Sequence, residues 1–259
     1  MTTYEFNGQK YEQASRHQKE WGQKLFSDLH LNGNESILDL GCGDGVLAEQ
    51  LSMLVPEGSV IGIDASIGMI DTAKKRKKKN LQFLNMDMAD MNFMNQFDVI
   101  YSNAALHWVK DHSRLLNQSY SALKPGGKIL WNFAGEGNCS DFFEITRNMI
   151  QTEPYKKYFQ SFQWPWYMPS KFEYEGLMNL TDFKNIVVTE ENADRFFTDA
   201  EEMIGWIDQP SLVPFMQYVP EELKEAFRNE VIDASLKRAI QLDGTCFQPF
   251  RRLKVSATK

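Results

Sequence analysis

From Ser36 to Phe133 short apolar runs alternate with stretches whose apolar positions recur every three or four residues, the two periods that separate strands from helices. SILDL (Ser36–Leu40) reads as a buried strand, and VLAEQLSML (Val46–Leu54) as a helix that Pro56 and Gly58 stop. VIGID (Val60–Asp64) predicts a second strand, Ile67–Lys79 a second helix, LQFLNMD (Leu81–Asp87) a third strand and FDVIYSN (Phe97–Asn103) a fourth. The stretch from Asp111 to Leu123 is helical by pattern and ends at LKPGG, after which KILWNF (Lys128–Phe133) predicts a fifth strand. Repeated β–α units call for a parallel sheet with helices on both faces, because right-handed crossovers place them there.

After Phe133 the pattern changes. Residues 139–181 read as short helical pieces and loops rich in aromatics, among them Phe142, Phe143, Trp164, Trp166 and Tyr167. NIVVTE (Asn185–Glu190) returns to strand character, Glu201–Trp206 and Pro220–Ile240 look helical, and RLKVSAT (Arg252–Thr258) alternates as an antiparallel strand does. No repeat, low-complexity tract or clean linker interrupts the chain. Residues 1–259 are therefore expected to form a single domain, with 36–133 as its core and 139–181 and 196–245 as a cap.

Composition narrows the class. A chain of 259 residues, 42% hydrophobic and 24% charged, can bury a substantial core. A net charge of −7 argues against a nucleic-acid partner, which needs a basic face. No apolar run approaches membrane-spanning length, and MTTYEFNGQK lacks the apolar core of a signal peptide. Cys42, Cys139 and Cys246 are far apart and form neither a zinc spacing nor a disulfide framework, so no metal site and a reducing, cytoplasmic setting are expected. The run KKRKKK (Lys74–Lys79) reads as the solvated end of the second helix, where cations suit the negative end of the dipole.

The first strand runs directly into GCGDG, with Gly41, Gly43 and Gly45 where a tight strand-to-helix turn needs residues free of Cβ. The third glycine comes one residue earlier than in the dinucleotide fingerprint G-x-G-x-x-G, and Asp39 sets a carboxylate beneath the loop. That suits a cationic ligand better than a pyrophosphate and argues against a dinucleotide-dependent oxidoreductase. Asp64 ends the second strand, 19 residues beyond Gly45, where an acid accepts both hydroxyls of a ribose.

On these residues the chain resembles the class I S-adenosylmethionine-dependent methyltransferases. The resemblance rests on ILDLGCGDG (Ile37–Gly45), GIDAS (Gly62–Ser66), NMDMAD (Asn85–Asp90), FDVIYSNAALHWV (Phe97–Val109) and LKPGGKIL (Leu123–Leu130), in the family's order. It implies an α/β fold: a Rossmann-like, doubly wound sheet of seven mostly parallel strands with an antiparallel last strand, plus the helical, aromatic-rich cap. It implies S-adenosyl-L-methionine as cofactor and S-adenosyl-L-homocysteine as product. Gly41, Cys42, Gly43 and Gly45 would then lie along the methionine part, with the carbonyls of Gly41 and of Ser102 or Asn103 accepting from its ammonium and Asp39 helping through water or at longer range. Asp64 would hold the ribose, Ala65 and Met69 would lie against the adenine, Asp87 would accept from its amine, and Met88 would donate from its backbone.

SNAALHWV (Ser102–Val109) is similar to the corner of a subset of that family, the small-molecule carboxyl methyltransferases. YEQASRHQKEW (Tyr11–Trp21) resembles their helix over the cofactor, so residues 1–35 are expected to supply lid helices. The resemblance implies that the Gln18 amide and the Trp108 indole hold a substrate carboxylate. Two neutral donors position a carboxylate without quenching its nucleophilicity. His107 has two readings: a general base, or a residue that hydrogen-bonds the backbone and fixes the corner. The expected partner is a small-molecule acceptor, with a carboxylate oxygen preferred. The alternatives are transfer to carbon, nitrogen or a phenol oxygen with His107 as base, and a non-catalytic S-adenosylmethionine-binding protein. Oligomeric state is not legible in the chain.

Overall fold

β1 (Ser36–Leu40) lies at the centre of the sheet, paired in parallel with β2 (Ser59–Asp64) on one side and β4 (Phe97–Asn103) on the other. The computed structural model describes residues 16–259. In chain order the elements begin with α1 (Arg16–Phe26), β1, α2 (Val46–Leu54), β2, α3 (Ile67–Ala73), β3 (Leu81–Asn85), β4, α4 (His112–Ala122) and β5 (Leu123–Ala134). They continue with α5 (Ser140–Met149), α6 (Lys171–Met178), β6 (Lys184–Asn192), β7 (Arg195–Phe197), α7 (Ala200–Trp206), α8 (Val213–Met216), α9 (Glu221–Ala239), β8 (Cys246–Gln248) and β9 (Arg251–Thr258). The main sheet has seven strands in the order β3-β2-β1-β4-β5-β9-β6, with β9 antiparallel to β5. The order reverses between β1 and β4, and a crevice outside the carboxyl ends of the strands at such a point is where open α/β sheets bind ligands.

The central strands β1, β4 and β5 are largely apolar because both faces of the sheet are covered there. Ile37, Val99, Tyr101 and Leu130 enter one buried cluster, while their chain neighbours Leu38, Ile100 and Trp131 enter the other. This is the period-two split of a doubly covered sheet.

The chain forms two compact units. One holds the main sheet: the described residues through Glu136, Trp166–Glu191 and Arg252–Lys259. The other comprises Gly137–Pro165 and Asn192–Arg251. Residues 166–181, read from sequence as part of the cap, thus belong with the sheet. The second unit has its own aromatic core. Phe142 packs on Trp206 at 5.6 Å between ring centroids, Phe162 on Phe215 at 5.1 Å and Tyr155 on Phe227 at 4.9 Å.

Three details differ from the sequence expectation. α3 ends at Ala73, six residues before Lys79, so the cationic run lies in the turn beyond the helix. Like charges in succession gain nothing from continuing a helix, and Arg76 turns inward to bond the Asp44 carbonyl and Glu49. β5 begins at Leu123, which pairs with Phe97 before the register shifts to Val99 opposite Lys128. β7 and β8 form a separate antiparallel pair of three-residue strands, too short to show a period. Tyr11–Ser15 of the expected lid lie outside the described residues, and the rest of that stretch enters α1.

Candidate active site

The loop after β1 turns on glycine. Gly41 (φ 70°) and Gly45 (φ 79°) are left-handed, and a Cβ on Gly41 would lie 2.2 Å from Ala105 Cβ and 3.3 Å from Met88 Cε. Three loops therefore meet at one point: the ends of β1 and β4 and the turn after β3. The Gly41 and Cys42 amides both donate to Ile63 O, which fastens the loop to β2. Asp64 completes the junction, its Oδ2 accepting from Gly43 N and its Oδ1 from Ser66 N, each at 2.9 Å. Asn85 Nδ2 donates to the carbonyls of Asp64 and Ala65 and fixes the backbone behind that carboxylate.

Asp39 is 2% exposed and makes no ion pair or hydrogen bond through its side chain to any described residue. Burial and the nearby Asp64 carboxylate push its pKa up to about 8. Burial, together with Asp64, Asp39 and Asp44, holds the Cys42 thiol protonated, its pKa well above the ordinary range. A cationic group bound here would relieve this crowding of acids. From α1, Lys19 pairs with Asp44 at 2.9 Å and ties that helix to the glycine loop.

The far end of the site is the turn after β3. Asp87 caps it, Oδ1 accepting from Ala89 N at 2.9 Å. Gln118 on α4 donates from one Nε2 to Ala89 O and Met91 O, both at 2.9 Å. Met69 is buried on α3, whose N-cap Ser66 accepts from Met69 N.

The corner after β4 is held from several directions. Ser102 Oγ donates to Leu40 O at 2.7 Å, and Asn103 Nδ2 donates to Gln18 O at 2.8 Å, which brings α1 to the corner. Ala104 has a left-handed φ of 56°, a strained conformation for alanine, and its amide donates to Asn132 O at 2.7 Å. Asn132 is in turn bonded by Arg252, whose guanidinium lies over the Trp21 ring of α1. The tight turn Leu106–Trp108 follows. Tyr167 N donates to His107 O at 2.8 Å, Lys110 Nζ donates to Trp166 O at 2.9 Å, and the Trp108 and Trp166 rings lie 5.2 Å apart.

Among the described residues, no hydrogen bond joins the His107 ring to the backbone. Its Nδ1 is buried without a hydrogen bond to any described residue. The imidazole that fixes the corner is His112, bonded to Leu106 O. Burial, with the Arg252 guanidinium and the neighbouring His112 imidazole adding to it, holds the His107 pKa well below the usual imidazole range. Two more buried atoms here have no described partner: Asn103 Oδ1 and Gln18 Oε1.

The sequence-selected residues thus fall in two groups on one unit: Asp39–Gly45, Asp64–Met69 and Asp87–Met88 on one side, Gln18, Ser102–Asn103 and His107–Trp108 on the other. The aromatics of residues 139–181 divide: Phe142, Phe143 and Trp164 lie in the other unit, Trp166 and Tyr167 beside the corner. Lys19, Asn85, His112, Gln118, Asn132, Tyr174 and Arg252 escaped the sequence reading. Of these Lys19 and Asn85 stood inside the family motifs.

The residues fit S-adenosylmethionine. Orphaned acceptors on Asn103 and Gln18 and the unpaired Asp39 suit its cationic amino-acid end. Asp64 suits a ribose diol, and the Gly41 cradle admits no Cβ. Residues 37–127 match a family model described as "Methyltransferase domain". A trans-aconitate 2-methyltransferase of Mycobacterium tuberculosis is 31% identical over 236 residues, 89% of this chain and 87% of that protein. Malonyl-[acyl-carrier protein] O-methyltransferase 1 of Ilyobacter polytropus is 32% identical over 155 residues, 59% of this chain and 57% of that protein. Phosphoethanolamine N-methyltransferase 2 of Haemonchus contortus, solved in complex with S-adenosyl-L-methionine, has the same fold at TM-score 0.59 and 21% identity, over 93% of this chain and 52% of that one.

Proposed function

Because this chain belongs to the class I S-adenosylmethionine-dependent methyltransferases, we propose that its methyl acceptor is the carboxylate oxygen of a small molecule. The observation that carries this reading is the state of His107. Burial holds its pKa well below the usual imidazole range, so it accepts a proton poorly; its Nδ1 is buried, and no described carboxylate partners it. A hydroxyl or a cationic amine needs a base to become a nucleophile, whereas a carboxylate is already ionised near neutral pH. The names of the trans-aconitate and malonyl-carrier relatives support the same class.

Bound S-adenosylmethionine supplies an electrophilic methyl group. The chain aligns and shields: the glycine loop takes the methionine part, Asp64 the ribose, and Asp87 with Met88 the adenine. Gln18 and Trp108 offer neutral donors to the two acceptor oxygens, and the tilted Trp108–Trp166 pair walls off water.

The test is a screen of carboxylic acids, including trans-aconitate, alongside phenols and amines, with methyl-labelled cofactor. A base-labile methyl ester is expected, and His107→Ala is expected to keep turnover within a few-fold of wild type. Label on an amine or phenol, or the loss of about 10²–10⁴ in turnover in His107→Ala that removal of a general base causes, would overturn it. No transfer to any acid would also count against it.

A further inference from the structure

We infer that the buried His112–Tyr174 pair positions Trp108 by holding the Leu106 carbonyl, an inference that rests on the corner being the acceptor wall. The hydrogen bonds fix the chemistry. His112 Nε2 lies 3.0 Å from Leu106 O, which can only accept, so Nε2 carries the hydrogen. Nδ1 is then a lone pair, and the Tyr174 hydroxyl 3.0 Å away donates to it. Burial pushes the His112 pKa down to about 4, so this neutral tautomer persists at physiological pH.

The pair reaches Trp108 through the backbone. Leu106 O and His107 O are successive carbonyls of the turn that ends in Trp108. His112 holds the first and Tyr167 N the second. The Tyr167 ring packs on His112 at 4.8 Å, and Phe133 closes the cluster at 5.5 Å. An apolar residue at position 112 would fill the same volume, but it would leave a buried phenol hydroxyl unpaired. Burying an imidazole for two bonds is explained by the carbonyl it holds.

The test reads Trp108 directly, without needing the acceptor. The six tryptophan indoles are labelled with ¹⁵N, and the Trp108 signal is assigned by its loss in Trp108→Phe. Tyr174→Phe removes only the hydroxyl from a fully buried ring. It should shift and broaden the Trp108 signal, leave those of Trp131 and Trp206 in place, and leave affinity for S-adenosylhomocysteine within twofold. His112→Gln, whose amide reproduces the Nε2–H donor, should give a near wild-type signal; His112→Asn, too short to reach Leu106 O, should not. An unmoved Trp108 signal in both Tyr174→Phe and His112→Asn overturns the inference. So does an equal shift of all six signals, which marks a general packing role. Failure of the acceptor reading looks different: Trp108→Phe would transfer label to acids at the wild-type rate while the signals still moved in Tyr174→Phe.

Discussion

The cofactor side and the acceptor corner lie on the same unit and are built differently. On the cofactor side the bonds are short in sequence or run between neighbouring strand ends. Asp64 to Ser66 N and Asp87 to Ala89 N span two residues, and Gly43 N to Asp64 joins the end of β1 to that of β2. At the corner Asn103 reaches 85 residues back to Gln18, and the Tyr174 that backs His112 lies 62 residues on. The first side is a set of local turns that any sheet of this order can carry. The second exists only once α1, β5 and the segment 166–178 are in place. A change on the cofactor side should therefore act on cofactor binding alone, and a change at the corner on turnover alone.

The sharpest break of this contrast is Asp64→Ala. On the proposed ribose role it removes two charge-assisted bonds to the diol, and it takes the acceptor from the Gly43 and Ser66 amides. At about 1.5–3 kcal/mol for each such bond, affinity for S-adenosylmethionine should fall on the order of 100-fold or more by calorimetry. The acceptor KM at saturating cofactor should stay unchanged. An equal rise in both constants would mean that the two sides are one structure.

Asp39→Asn tests the cofactor side through pH. The unfolded carboxyl ionises near its ordinary value of about 3.9, while the folded one holds its proton to about 8. Between those values the folded protein binds the extra proton, so stability falls as pH rises and levels off above about 8. The slope is at most about 1.4 kcal/mol per pH unit. Without cofactor, Asp39→Asn should match wild type near pH 4 and exceed it by several degrees in Tm at pH 8. A constant difference across that range would show that Asp39 is ionised throughout.

On the other side, Trp108→Phe keeps the apolar face and removes one indole donor. Turnover should drop on the order of tenfold, with cofactor affinity unchanged in calorimetry. Loss of both together would place Trp108 in the fold rather than against substrate.

The same contrast explains what was legible in the chain. Glycines, Asp39, Asp64 and Asp87 announce themselves because each acts within a few residues of a strand end, and spacing along the chain is then spacing in space. His107 and Trp108 were visible as an unusual pair, but the supports of the corner were not. His112 looked like one more residue of a helix start, and Tyr174 one more aromatic of a loop-rich stretch. Nothing local distinguishes an imidazole that bonds a carbonyl from one that faces solvent. The strands were legible because both sheet faces are covered. The end of α3 was not, since the inward turn of Arg76 depends on Asp44 and Glu49 from the preceding unit of the sheet.

The smallest effect tests whether the cofactor side is as local as described. Gln118 on α4 is a distant support at the adenine end, donating to Ala89 O and Met91 O, beside the exposed Arg114–Asp90 pair. Gln118→Met keeps the length of the side chain and removes both bonds. If Asp87 holds the turn by its own bond to Ala89 N, the loss is confined to two carbonyls, about 1 kcal/mol. Affinity for S-adenosylhomocysteine should then fall about fivefold, with the acceptor KM unmoved. A loss as large as that of Asp64→Ala would instead make the adenine turn depend on α4, and the division between a local cofactor side and a long-range corner would run through the end of β3 rather than between β1 and β4.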